Sequence, residues 1–341
     1  MRNKKSSKNN LPTLSIVIVT FNNSSTLPFC LKAIKSQDYP KKLIEYINVD
    51  GGSTDKTSSL MRKYGFKVIK SRVASAEVQR AIALKKAKNE IVVYIDADNY
   101  LPGKNWLLQM AKPFAEDKKI IYSQTLHYAY RRQDSLFNRY CALFGVADPV
   151  VYYVGRPDRL SWADDKWKYG KIIKETEEYF VVNFTKENLP TVGCNGIMVK
   201  RGVLLNNAKS DPDNFLHIDV FVDLLDKGFN NFAIVKNDVI HSTAITLRNL
   251  IKKRVAFLTY YFNQATPRRY KIYDPSKKED NWKMFLFIFY TVTLFRPLWD
   301  SLKGFMKIHD VAWFLHPLAC WGFLYAYGKS FIKNKFYNHG K

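Results

Sequence analysis

Between Leu14 and Gln124 short apolar runs alternate with segments of helical composition, the pattern of a sheet of parallel strands joined by helices. Leu14 to Thr20 predicts a first strand, and its apolar stretch Leu14 to Val19 is too short for a signal-peptide core. Ser24 to Gln37 predicts a helix, opened by Ser and Thr capping candidates and stopped at Asp38-Tyr39-Pro40. Ile44 to Val49 predicts a second strand. Asp50-Gly51-Gly52-Ser53-Thr54-Asp55 then reads as a turn in which Ser53 or Thr54 caps a helix running to Lys63. Val68-Ile69 is a short third strand, Glu77 to Lys88 a helix without a breaker, and Glu90 to Asp96 an apolar fourth strand. Thr20, Asp50 and Asp96 all fall at the carboxyl ends of strands, where open α/β sheets bind ligands.

Beyond Gln124 the pattern loosens into a stretch rich in Tyr, Trp and Arg that extends to Pro190 and gives no period. Regularity returns with a strand expected over Thr191 to Lys200, a helix from His217 to Lys227, and strands over Phe232 to Val235 and Val239 to His241. Two apolar stretches close the chain, Met284 to Phe295 and Val311 to Tyr327, separated by Arg296, Pro297 and a charged link. A bilayer span takes about 20 apolar residues, with a lower limit near 17. The first stretch is too short, and the second carries His316-Pro317 within it. An interfacial or re-entrant hairpin is expected over two full spans, and helices that cover the α/β core are the alternative.

With 341 residues, 47% of them hydrophobic, the chain has enough apolar content for a packed core. Four segments are expected: a basic tail over 1–11, a first α/β half over 12–125, a second half over 126–245, and a basic aromatic helical segment over 246–341. The net charge of +24 is compatible with nucleic acid, an anionic membrane or phosphorylated substrates. Its placement decides among them. Residues 245–341 carry 17 Lys and Arg against 5 Asp and Glu, so half of the excess lies there, interleaved with Trp, Phe and Tyr. That mixture suits a membrane interface, and no helix-turn-helix, zinc-finger or aromatic RNA-binding signature accompanies it, so no nucleic-acid partner is expected. Cys30, Cys141, Cys194 and Cys320 are scattered without a Cys-x-x-Cys pair, which fits a reducing compartment better than a disulfide framework or a zinc site. The expected location is the cytoplasmic face of a membrane, peripheral or re-entrant.

Candidate chemistry concentrates in Ile95-Asp96-Ala97-Asp98-Asn99. If the strand continues through it, a period of two sends both carboxylates to one side and Ala97 to the other. Two convergent carboxylates repel unless a cation lies between them, and a hard divalent ion with open positions for phosphate oxygens meets that need. A solvated turn is the plainer use of the same residues.

Taken together, Ser15 to Asn22, Asp50-Gly51-Gly52-Ser53-Thr54-Asp55-Lys56-Thr57, Gln79-Arg80 and Ile95 to Asn99, in that order and spacing, resemble the N-terminal half of family 2 glycosyltransferases of the GT-A fold. The resemblance implies a Rossmann-like, mainly parallel sheet flanked by helices, a bound Mg²⁺ or Mn²⁺, a UDP- or GDP-sugar donor, and inversion at the anomeric carbon. Matched by position, it implies that Thr20 and Asp50 contact the donor base and ribose, that Arg80 is the basic residue of the helix before the metal strand, and that Asp96 faces the ribose with Asp98 on the metal. Ala81 and Asn89 stand where the family often has Asn and Gly. Gly193-Cys194-Asn195-Gly196 and Phe215-Leu216-His217-Ile218-Asp219 are similar to the acceptor strand and the acidic motif. Ile218-Asp219 replaces the usual Glu-Asp pair, so the resemblance implies Asp219 as catalytic base and His241 beside the metal or diphosphate; Asp223, four residues on, shares a face with Asp219 if the segment is helical and is the next candidate. The expected acceptor is a lipid-linked or surface glycan, on the strength of the charged aromatic C-terminus. Two rivals are a nucleotidyltransferase, against which Thr20 to Ser25 lacks a glycine-rich phosphate loop, and a non-catalytic module that binds a nucleotide sugar or glycan.

Overall fold

The computed structural model describes residues 11–243, 246–262 and 268–338; of the basic tail 1–11, only Leu11 falls among them. β1 forms over Leu14–Thr20 as its apolar run predicts, and six of its seven residues are buried, the pattern of a strand covered on both faces. α1 (Leu27–Lys35) starts later than the capping residues suggested, because Asn23 O accepts from the N–H groups of Thr26 and Leu27 and makes the preceding residues a turn. A 3₁₀ turn (Lys41–Leu43) leads to β2 (Ile44–Asp50), α2 (Thr57–Lys63), β3 (Lys67–Lys70), α3 (Ala76–Lys86) and β4 (Ile91–Tyr94). Neither Ser53 nor Thr54 caps α2. Asp55 Oδ1 does so in effect, accepting from Thr57 N at 2.9 Å, while Ser53 and Thr54 are drawn to Asp50 and Asn22.

β5 (Asn99–Tyr100), α4 (Trp106–Glu116) and β6 (Tyr122–Tyr128) follow. The aromatic stretch that gave no period contains two short helices, α5 (Leu136–Phe144) and α6 (Pro149–Tyr153), and a hairpin of β7 (Lys171–Glu175) with β8 (Tyr179–Asn183). The strand expected over Thr191 to Lys200 is confined to β9 (Ile197–Lys200), since Gly196 takes a left-handed φ of 64° at its start. After α7 (Arg201–Asn207) and α8 (Asp219–Asp226), the two expected strands near 232–241 prove to be one, β10 (Asn231–His241), with a register shift between Val235 and Asp238.

The strands form one sheet in the order β3-β2-β1-β4-β9-β6-β10-β8-β7, with β5 paired to β10. It is parallel from β3 through β4; β9 enters antiparallel, β6 and β10 are parallel, and the β8–β7 edge is antiparallel. Side chains from β1, β4 and β9 pack with α1 and α4 in its principal core, where Leu14, Ile16, Ile34, Trp106 and Met198 are almost fully buried.

The described residues up to Ala129, with Gly170–Ser242, form one compact unit that holds this sheet; Tyr130–Tyr169 and the residues from Thr243 form a second. The second unit is helical: α5, α6, α9 (Leu247–Phe262), α10 (Lys278–Thr293), α11 (Phe295–Lys307), a 3₁₀ turn (Val311–Leu315) and α12 (His316–Asn338). Gly304 in α11 is needed because the ring of Trp313 occupies the space where a Cβ would stand. Buried His316 lies between Tyr140 Oη and Tyr153 Oη, at 3.2 and 3.1 Å, and Tyr153 in turn donates to Asp300 at 3.0 Å. No helix among the described residues is long and apolar enough to cross a membrane. Yet 17 of the 22 large apolar side chains that are exposed among those residues lie between Trp282 and Ile332.

Candidate active site

Parallel pairing sets Thr20 opposite Asp50 at the carboxyl ends of β1 and β2. Thr20 Oγ1 donates to Asp50 Oδ1 at 2.9 Å, and Ser53 donates to the same carboxylate through its N–H (2.9 Å) and its hydroxyl (2.5 Å). Burial pushes the Asp50 carboxyl up, but these hydrogen bonds outweigh it and hold the group below the usual carboxylate range. Asn48 Nδ2 ties Thr20 from below at 3.0 Å. The turn after β2 is laced to the turn after β1, with Asn22 N donating to Ser53 Oγ and Thr54 N to Asn22 Oδ1, both at 2.9 Å. Asn22 holds a φ of 52°, which Asn tolerates better than most residues. Gly51 is required for a different reason: a Cβ there would stand 2.9 Å from the backbone of Ala74, so only glycine lets this turn approach the segment before α3.

α3 supplies the next two groups. Gln79 Nε2 donates to the carbonyls of Thr20 (2.8 Å) and Val49 (2.7 Å), joining β1 and β2 at their ends. One residue on, the buried Arg80 guanidinium reaches Asp96 Oδ1 at 2.8 Å. Asp96 and Asp98 do not continue the strand, because β4 ends at Tyr94 and residues 95–98 turn toward β5. The period-two argument for their convergence therefore does not apply, and Ala97 lines the same cavity as both aspartates. The turn is closed by Asn99, whose Oδ1 accepts from Asp96 N at 3.1 Å. Antiparallel pairing of β5 with the end of β10 sets His241 opposite Asn99. It brings His241 Nε2 to 3.5 Å from Asp98 Oδ2.

These groups surround a cavity of about 340 Å³ lined by Thr20, Gln79, Arg80, Asp96, Asp98 and His241, among others. A volume of that order accommodates a small-molecule ligand. Five of the seven residues singled out from the sequence thus line one cavity. Asp50 lies behind it, bonded to Thr20. Asp219 stands elsewhere: it is the first residue of α8, fully buried, and not part of the lining. Asp223 accepts from Lys209 N at 3.0 Å, and Asp226 pairs with Lys186 at the surface. Sequence reasoning quoted Asn22, Gln79 and His217 within motifs but gave them no role, and it did not single out Glu77. The φ > 0 preference of Asn after a strand was a signal for Asn22; nothing local marks Glu77 as a partner of His217.

A carboxylate and an imidazole facing one cavity fit a divalent cation that completes its shell with ligand oxygens. Among the described residues no three His, Cys, Asp or Glu side chains gather into a self-sufficient metal site. Asp98 and His241 would hold the ion, while Asp96 is engaged by Arg80.

The family described as glycosyl transferase family 2 matches residues 15–198, more than half of the chain. Over 94 residues the chain is 32% identical to the poly(ribitol-phosphate) beta-N-acetylglucosaminyltransferase TarS of Staphylococcus aureus, which covers 26% of this chain and 16% of that protein. Over 103 residues it is 34% identical to the poly(ribitol-phosphate) beta-glucosyltransferase of Bacillus spizizenii, covering 28% and 16%. Both alignments thus span well under two thirds of the relatives. Among solved structures, the mannosyltransferase PcManGT from Pyrobaculum calidifontis, in complex with GDP-Man and Mn²⁺, covers 95% of this chain and 88% of its own at 14% identity and a TM-score of 0.49. The match over residues 15–198, which runs from β1 through the cavity-lining turn to β9, makes this chain a member of glycosyl transferase family 2.

Proposed function

We propose that this glycosyltransferase moves a sugar from a UDP- or GDP-sugar, with Mg²⁺ or Mn²⁺ bound, to a hydroxyl of a lipid-linked or surface glycan at the cytoplasmic face of a membrane. The observation that carries the donor half is the convergence of Thr20, Arg80, Asp96, Asp98 and His241 on one cavity beyond the strand ends. Thr20, held from behind by Asp50, would meet the base and ribose, Asp96 the ribose side, and Asp98 with His241 the metal. Arg80 holds Asp96 in place at 2.8 Å and offsets its charge, so that the site does not present two bare carboxylates to a diphosphate. A divalent ion, when bound, neutralises charge on the departing diphosphate. The acceptor hydroxyl attacks from the face opposite the leaving group and configuration inverts, with a base on the acceptor side taking its proton.

The membrane half is supported by α10, α11 and α12. Trp282, Phe285, Ile288, Phe289 and Val292 recur at helical spacing and are exposed on α10, as are Phe295, Leu298, Trp299, Leu302 and Met306 on α11. A helix with an exposed apolar stripe and flanking Lys and Arg suits the headgroup boundary of a bilayer, lying in its plane.

The donor assignment is tested with Asp98→Asn. Binding of UDP- and GDP-sugars raises the melting temperature of the parent in Mn²⁺, since a ligand of the folded state stabilises it. Asp98→Asn is expected to fold with a similar melting temperature and to lose the Mn²⁺-dependent part of that rise. Unchanged Mn²⁺-dependent stabilisation would remove the metal from this site. Donor binding without transfer to any acceptor would instead favour a binding module.

A further inference from the structure

We infer that His217, oriented by Glu77, is the group that takes the proton from the acceptor hydroxyl. The inference rests on the transferase reading above and assigns the base that reading leaves open. Asp219 is fully buried at the start of α8, whereas the His217 side chain, two residues earlier, keeps 26% of its surface exposed. His217 is fixed by Glu77 through two contacts, its N–H donating to Oε2 at 2.8 Å and its Nδ1 to Oε1. An ionised carboxylate only accepts, so Nδ1 carries the hydrogen and the lone pair of the neutral ring lies on Nε2. Among the described residues Nε2 has no hydrogen-bond partner.

Neither Glu77 nor His217 is part of the cavity lining, but Glu77 adjoins it. It follows Ala76, which lines the cavity, and its Oε1 lies 3.9 Å from Arg80 Nη1, the guanidinium that holds Asp96. Burial raises the Glu77 carboxyl, but the charge that His217 carries once protonated, its hydrogen bonds, and then Arg80 reverse that and bring it down to about 2. The carboxylate therefore stays ionised through the neutral range. This is the arrangement in which a carboxylate sets the tautomer of a histidine and stabilises the imidazolium that forms. In the step itself the acceptor oxygen bonds to the anomeric carbon and its proton passes to Nε2. The bond from that carbon to the diphosphate oxygen breaks, and its electron pair leaves with the nucleoside diphosphate. Glu77 acts through His217 and is a positioning residue.

The test measures donor affinity, melting temperature and single-turnover transfer for the full chain. His217→Asn is expected to keep nucleotide-sugar affinity within a few-fold while lowering transfer by roughly 10²- to 10⁴-fold, the usual contribution of a positioned base. Added imidazole is expected to restore part of the rate to His217→Ala, and His217→Asp to recover more than His217→Asn does. Glu77→Gln is expected to lower kcat with little change in the donor KM and to shift the ¹⁵N signals of the His217 ring toward the other tautomer. Transfer by His217→Asn within a few-fold of the parent would overturn the assignment, as would a loss of donor affinity equal to the loss of rate. If His217→Asn unfolds, failure of imidazole to raise the rate of a folded His217→Gln decides against it in the same way. A parent that binds donor but transfers no sugar would sink the transferase reading, and this inference with it.

Discussion

Asp50 illustrates how much a single residue in this site depends on its neighbours. Thr20 and Ser53 spend their hydrogen bonds on its carboxylate and hold it below its ordinary pKa. A carboxyl depressed in the folded state stabilises the fold at pH values above its unfolded pKa of about 4, and that contribution is lost as pH falls through the folded value. The parent is therefore expected to lose melting temperature on acidification below about pH 5, and Asp50→Ala to be less stable at neutral pH with a shallower loss. Equal acid slopes in the two proteins, measured by thermal melts from pH 7 to pH 3, would show that the carboxylate contributes nothing. Thr20, Asp50, Asp96 and Asp98 were legible in the sequence because each follows a recognisable apolar strand. His217 and Glu77 were not. They meet across 140 residues, and no local pattern announces a pairing made by the tertiary fold.

At the scale of elements, strands β1 and β2 were readable because they are continuous apolar runs between polar turns, whereas α5 and α6 were hidden in an aromatic stretch without a 3.6-residue period. Their starts are marked by side chains in hindsight: Ser135 Oγ accepts from Asn138 N at 3.2 Å and Asp148 Oδ1 from Val150 N at 2.9 Å. Asp219 is an element-scale residue in the same sense. It sits in the first turn of α8, where unpaired N–H groups and the helix dipole favour a negative charge. Asp219→Asn is expected to cost about 1 kcal/mol and a few degrees of melting temperature, with a smaller effect on transfer than His217→Asn. A hundredfold loss of rate at an unchanged melting temperature would return the proton-acceptor role to Asp219. The turn of Asp96 and Asp98 teaches the complementary lesson. The sequence marked two residues that line the cavity, but for a reason that does not hold, since a closed turn and not a strand's alternation brings them there.

For the whole molecule, charge and aromatic content singled out the C-terminal part, but the number of its helices was not readable, because Pro297 and Pro317, which read as breaks in the apolar stretches, stand in the first turns of α11 and α12, where proline is tolerated. The proposed membrane contact predicts that the full chain binds vesicles rich in anionic lipid and that raising the salt weakens binding, since exposed charge is screened over about 10 Å at 0.1 M ionic strength. Replacing Trp282, Phe285 and Phe289 with Ser is expected to reduce vesicle binding at least tenfold without lowering the melting temperature, each lost insertion being worth up to about 1.5–3 kcal/mol. Binding that survives both the triple substitution and high salt in a sedimentation assay would remove this surface from the membrane. The central place of β10 between β6 and β8 bears on how the chain is made. Translation delivers β6, then a segment of the helical unit, then the β7–β8 hairpin, and only about a hundred residues after β6 the strand that must lie against it. Until then the facing edges of β6 and β8 have no partner, and open edges invite pairing with other chains. A nascent chain stalled before Asn231 is for that reason the form of this protein most exposed to aggregation and most in need of a chaperone.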